Sequence, residues 1–265
     1  MGTVRPVAEA DDPLMLLALG GLAYLLTMLL HEAVGHGVGC LLAGGAPRIT
    51  TVATQCEVQP LAMVLAGPLP NWAVGLFLWR ALPIVSAEAP RLWWLLWLLF
   101  AYNLLIAAGY LVFCGLAGFG DWAVAAAPGL WRPLAVVGGG ALYYLVLRAA
   151  SARVPSLDSD SPLRPRLRAL VLLPYIGAGL VALASGLLNP IDPIRRFLLP
   201  AASSLGAGLG LLWVPDIHAD LTRRSPDRTD GALGPVTRRA GWLAAAVAAI
   251  LLFVTQIGPG LTIRR

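Results

Sequence analysis

Residues Pro13 to Gly45 read PLMLLALGGLAYLLTMLLHEAVGHGVGCLLAGG. The first eighteen of them, Pro13 to Leu30, carry no charge. His31, Glu32 and His36 then arrive within six positions, and apolar sequence resumes. A stretch of about 20 mostly apolar residues is long enough to cross a bilayer. A charged side chain near its centre costs about 2.5–3.5 kcal/mol on insertion scales, so such groups face a cavity and pair with one another. The stretch therefore predicts a membrane span that carries a functional cluster in its second half.

The rest of the chain agrees. Of 265 residues, 58% are hydrophobic and 12% charged, against about 25% charged in soluble domains. Seven spans are predicted, over 13–44, 60–86, 92–118, 122–149, 168–188, 197–214 and 240–258. The fold class is an all-α, polytopic transmembrane helix bundle forming a single domain, 1–265. The first span is long enough to tilt or to begin in the interface. Pro128 and Pro133 interrupt the fourth, and glycines interrupt the sixth. The amino terminus has neither a basic region before a short apolar core, as a signal peptide needs, nor the Ser or Thr at position six of a myristoylation site.

Polar segments are short. Beyond the acidic tip Glu9 to Asp12, residues 150–167 and 215–239 are rich in Arg, Asp, Ser and Pro and read as solvated, mobile loops. RITTVATQCEVQ, residues 48–59, alternates in part and predicts a short strand or hairpin at the membrane surface. All nineteen basic residues are arginine. They flank spans instead of forming one stripe, which excludes a nucleic-acid partner and leaves the lipid bilayer as the medium. Cys40, Cys56 and Cys114 fit neither a disulfide framework nor a thiolate metal site. His218 reads as a solvated loop residue. The tryptophans, Trp93, Trp94, Trp97 and Trp122 among them, fit interfacial belts. GGGAL (Gly138 to Leu142) and SSLGAGLG (Ser203 to Gly210) read as close-packing faces.

The seven-span count imposes a parity. Spans one, three and five run the same way, so their far ends open on one side. Glu32 and His36 in the far half of span one, Asp121 in AGFGDW and Asp192 in NPIDP can meet there. Two imidazoles and a carboxylate suit Zn²⁺ with an open position for water, and an adjacent carboxylate serves as general base. In H-E-x-x-H the histidines share a helix face. Here the spacing is H-E-x-x-x-H, and five residues turn a regular helix by about 140°. A single π-bulge would restore a common face. Otherwise Glu32 and His36, four apart, would themselves be the ligands, or the site would be inactive.

HEAVGH in a first span resembles the site-2 protease family of intramembrane zinc metalloproteases. LAGPLPNW (Leu65 to Trp72) is similar to that family's Ala-Gly-Pro-x-x-Asn stretch. YNLL (Tyr102 to Leu105), followed later by an aspartate, resembles its third core span. The resemblance covers residues 13–122 and implies a three-helix catalytic core, with 123–265 as additional spans. It implies His31 and His36 as zinc ligands, Glu32 as general base and Asp121 as third ligand. Asn71 and Asn103 would lie near the site, positioning substrate or bonding between helices. The Asn103-to-Asp121 interval is longer than in the family, and Gly precedes the aspartate, so Asp192 stands as the alternative third ligand.

The expected function is hydrolysis of peptide bonds in membrane-embedded protein substrates, in a bacterial cytoplasmic membrane. The alternative is a non-enzymatic membrane protein: an ion- or proton-coupled transporter, or a degenerate protease-like binding protein. A histidine-rich di-iron oxidase is excluded, since the chain has three histidines. Two signals for orientation disagree. Roughly twice as many arginines lie on the amino-terminal side, which puts that side in the cytoplasm and the motif near the outer face. The family resemblance implies the cytoplasmic face.

Overall fold

The computed structural model describes residues 10–86, 88–124, 129–155, 163–224 and 233–263. Glu9, Pro128 and the centres of the two polar loops, 156–162 and 225–232, lie outside them. Among the described residues, seven helices are long and apolar enough to cross a membrane: Pro13–Leu42, Leu61–Ile84, Pro90–Ala117, Trp131–Arg153, Arg164–Leu187, Ile194–Arg224 and Ala240–Ile257. The protein is a multi-pass helical bundle, as its hydropathy predicts.

Span one starts cleanly. Asp12 is its N-cap, with Oδ1 accepting from Met15 N at 2.9 Å, and Pro13 fills the first helical position. Pro133 falls in the first turn of span four, where a missing N–H costs nothing, so it does not interrupt that helix. Span six is broken as its glycines suggest, through a π-segment at Pro200–Leu205 and a 3₁₀-segment at Leu209–Trp213. It then continues as helix to Arg224, so the first part of the 215–239 loop is helical.

Span three is the hub. Every residue from Phe100 to Ala108 is buried. Trp94 and Trp97 are fully buried and stack with centroids 4.6 Å apart. Their indole N–H groups donate to Leu170 O (2.9 Å) and Ala150 O (3.1 Å). These two, with buried Trp93, correct the belt assignment: hydropathy gives depth, whereas the helix face decides inside or out. Spans one and five touch backbone to backbone, because a Cβ on Gly20 would overlap Pro174 and one on Gly177 would overlap Leu17. In GGGAL only Gly139 packs closely, against Val112 and Ala108; Gly138 and Gly140 face open space.

Beyond span one the chain forms the expected hairpin, β1 (Arg48–Ile49) antiparallel to β2 (Thr54–Gln55). A third strand, β3 (Leu261–Thr262), pairs with β1 on its other edge, Arg48 opposite Thr262. The end of span five holds the same hairpin: Asn189 Nδ2 donates to Thr50 Oγ1 (3.0 Å), and Thr51 Oγ1 donates to Ser185 O (2.7 Å). The far ends of spans one and five and the segment after span seven therefore gather at one end, as parity requires. At the opposite end Asp11 pairs with Arg166 at 2.7 Å and Arg91 binds Thr237. His218 is there too, buried, with Nδ1 donating to Ser151 O at 2.9 Å. Its placement in a helix corrects the solvated reading.

Candidate metal centre

The histidine segment is not an ordinary helix. Residues Leu30–Gly37 form a π-helical turn inserted in span one, with regular helix before and after. The extra residue per turn brings His31 and His36 to the same side, ring centroids 4.9 Å apart. This is the distortion that the five-residue spacing demands.

Asp121 arrives from span three. That helix runs on past Asn103 to Ala117 and ends at Gly118, whose φ of +75° is left-handed; Gly120 follows with φ +102°. Glycine adopts such angles without a Cβ penalty. The pair turns the chain back to a short helix, Asp121–Val124. The Tyr110 hydroxyl accepts from Asp121 N at 3.3 Å and anchors the turn. The long Asn-to-Asp interval and the Gly-Asp order are thus one feature: a longer span and a glycine return.

The three side chains converge. His31 Nε2 and His36 Nε2 each lie 3.2 Å from Asp121 Oδ2, and one ligand atom from each residue lies within 4.8 Å of the others. Asp192 is elsewhere. Its Oδ1 caps the helix Pro193–Leu199 by accepting from Ile194 N (3.0 Å) and Arg195 N (3.3 Å), so the alternative ligand assignment is corrected.

The partners of the other ring nitrogens fix what the histidines present. His31 Nδ1 donates to Asn71 Oδ1 (3.1 Å), and His36 Nδ1 donates to the Met63 carbonyl (3.1 Å). Asn71 is held so that its oxygen faces His31: its Nδ2 donates to Thr27 O (3.1 Å) and Asn103 Oδ1 (2.8 Å). Asn103 Nδ2 in turn donates to Thr27 Oγ1 (3.1 Å) and Leu99 O (2.8 Å). Each imidazole spends its Nδ1 hydrogen on a carbonyl, which leaves Nε2 as the lone-pair nitrogen. Two such nitrogens facing a carboxylate oxygen repel unless a proton or a cation lies between them. Where protons take that place, hydrogen bonds from the protonated His31 and His36 rings outweigh burial, which alone would raise the Asp121 carboxyl, and hold it well below the usual carboxylate range. Asn71 and Asn103 thus support the orientation of the His31 ring, and bond between helices as well.

Glu32 is buried at 7% exposure, and its Oε2 is without a hydrogen-bond partner among the described residues. A buried carboxylate oxygen left so is costly. It lines a partly open cavity of about 350 Å³ together with His31, His36 and Asp121. Tyr110, Phe119 and the hairpin residues Thr51 to Thr54 form other walls. An orphaned carboxylate, two bare imidazole nitrogens and a carboxylate facing one cavity fit a divalent cation with a water beside it.

Two features of the site leave no chemical signature in sequence. Gly67, in LAGPLPNW, gives His36 its place: a Cβ there would overlap the His36 ring. A Cβ on Gly35 would come within 2.6 Å of Ala66 O and the Gly67 Cα, so spans one and two meet here backbone to backbone. Gly67→Ala is expected to displace His36 and weaken metal binding by about 10–100-fold, the range seen when ligand supports are lost. Competition with a chromophoric chelator measures this; unchanged affinity would mean His36 is not a ligand. Cys40 and Cys56 form a disulfide that ties the helix one turn beyond His36 to the residue following β2. Their assignment as unpaired is corrected, and Cys40 is neither a ligand nor mere filling. Cys114 is free and buried, as a small apolar side chain.

No protein-family model, curated protein or solved structure matches the chain.

Proposed function

We propose that the protein is an intramembrane zinc metallopeptidase, a divergent relative of the site-2 proteases, in a bacterial cytoplasmic membrane. One observation carries the reading. Two lone-pair imidazole nitrogens and a carboxylate converge beside the orphaned oxygen of Glu32, inside a cavity that opens from a transmembrane bundle. The family resemblance over residues 13–122 adds to it.

His31, His36 and Asp121 would hold the ion, and Asn71 and the Met63 carbonyl keep the two rings turned toward it. A zinc ion so held supplies Lewis acidity and lowers the pKa of a water. Glu32 would take the proton from a water in the cavity as its oxygen adds to the scissile carbonyl carbon, then return the proton to the leaving amine as the C–N bond breaks. Burial of the carboxylate away from bulk water keeps the transfer local.

The test uses the full chain purified in detergent, with a peptide corresponding to an apolar membrane segment. Cleavage is expected with about one zinc per chain, lost on chelation and restored by zinc. Protein loaded with zinc that leaves a range of such peptides intact, or protein that binds no zinc, would overturn the reading.

A further inference from the structure

We propose that this site works from the oxidising, extracytoplasmic side of the membrane, on membrane proteins whose apolar segment ends at that outer boundary. The substrate class rests on the peptidase reading; the orientation does not.

Two independent observations agree, against the cytoplasmic face that the family resemblance implies. The first is redox. The Cys40–Cys56 disulfide sits at the end of the bundle that carries the site, Cys40 four residues after His36 and Cys56 directly after β2. Both residues are buried with Met63, whose carbonyl supports His36. Thiols on the cytoplasmic side are kept reduced, whereas structural disulfides persist outside it. A bond built into the wall of the site therefore assigns that wall to the oxidising compartment.

The second is charge. At the site end, the described arginines are Arg48, Arg132, Arg195 and Arg196. The opposite end, from Arg80 and Arg91 through Arg164, Arg166 and Arg168 to Arg239, carries more than twice as many. Arginine excess in short loops marks the cytoplasmic side. At the site end, moreover, Arg48 donates to Pro259 O at 3.0 Å, and Arg132 to Gly115 O at 2.9 Å and Leu116 O at 2.7 Å. These two cations satisfy carbonyls at helix ends, a structural use that does not depend on which compartment they face.

The consequence for substrate follows from depth. His31 and His36 lie in the second half of span one, and Asp121 lies beyond the end of span three. A peptide bond reaching them comes from the outer end of a substrate helix, where unwinding needs the fewest broken hydrogen bonds.

The test needs no hydrolysis, so its failure is separable from that of the peptidase reading. The full chain is fused after Arg265 either to alkaline phosphatase, active only when exported, or to green fluorescent protein, fluorescent only in the cytoplasm; β3 puts the carboxyl-terminal segment at the site end. An active phosphatase fusion and a dark fluorescent fusion are expected. In parallel, untreated cells are probed with a maleimide-polyethylene glycol under denaturing, non-reducing conditions. Cys40 and Cys56 should react only after reduction, including by a membrane-impermeant phosphine. A fluorescent carboxyl-terminal fusion, or free thiols at both positions in untreated cells, overturns the proposal. If orientation holds and no cleavage is found, the peptidase reading falls and the substrate class with it, while the orientation stands.

Discussion

Replacing Glu32 by Gln is expected to abolish turnover, by about 10²–10⁴-fold or more, while leaving metal content unchanged. The substitution preserves shape in a buried position, and the converging ligand atoms belong to His31, His36 and Asp121 instead. The amide cannot take a proton from water, so the attack loses its base and the departing amine its acid. Two measurements separate the outcomes: metal per chain by elemental analysis, and single-turnover cleavage of an apolar peptide. Loss of metal along with activity would revive the other assignment left open by the spacing, in which Glu32 and His36 are themselves the ligands. Full activity would remove Glu32 from the chemistry. Asp121→Asn should behave oppositely, lowering metal affinity first, because it removes the charge on which both imidazoles converge.

Comparing these residues with their neighbours shows what a linear reading can and cannot reach. The seven helices are legible because apolar length is a local property, and Glu32 is legible because a charge inside such a helix has few bland explanations. Asp121 was reachable by parity, a constraint set by the number of crossings alone. The supports were not reachable. His36 is oriented by the Met63 backbone carbonyl, which leaves no mark in sequence, and is admitted by the missing side chain of Gly67. Cys40 pairs with Cys56 across 16 residues because a hairpin folds the chain back, and its two-residue strands carry too little pattern to set that return. His218 was obscured by its arginine-rich surroundings: the helix through Arg224 turns it toward Ser151 and leaves Arg223 and Arg224 exposed. In each case the decisive partner is backbone or a distant helix, and residue type alone does not report either.

The register of the first span offers the sharpest challenge to the metal centre. A π-turn is an ordinary helix carrying one additional residue, so removing one should leave a regular helix with its downstream register intact. Val34 is the residue to remove. It is 49% exposed, and it stands between Glu32 and His36. Deleting it creates histidines four apart, on one helical face by about 40° at 3.6 residues per turn. Inserting one alanine between Ala33 and Val34 instead makes them six apart, about 240° around a regular helix. The deletion is expected to bind zinc within about tenfold of the parent, since both imidazoles still address Asp121. The insertion is expected to lose at least about 100-fold, the upper range for disrupted supports, because no single π-turn can gather that spacing. Thermal unfolding of both variants, followed without metal, controls for simple misfolding. Should the deletion lose zinc as completely as the insertion while remaining folded, the widened turn would not be what assembles the ligands, and the arrangement of His31, His36 and Asp121 would need another cause.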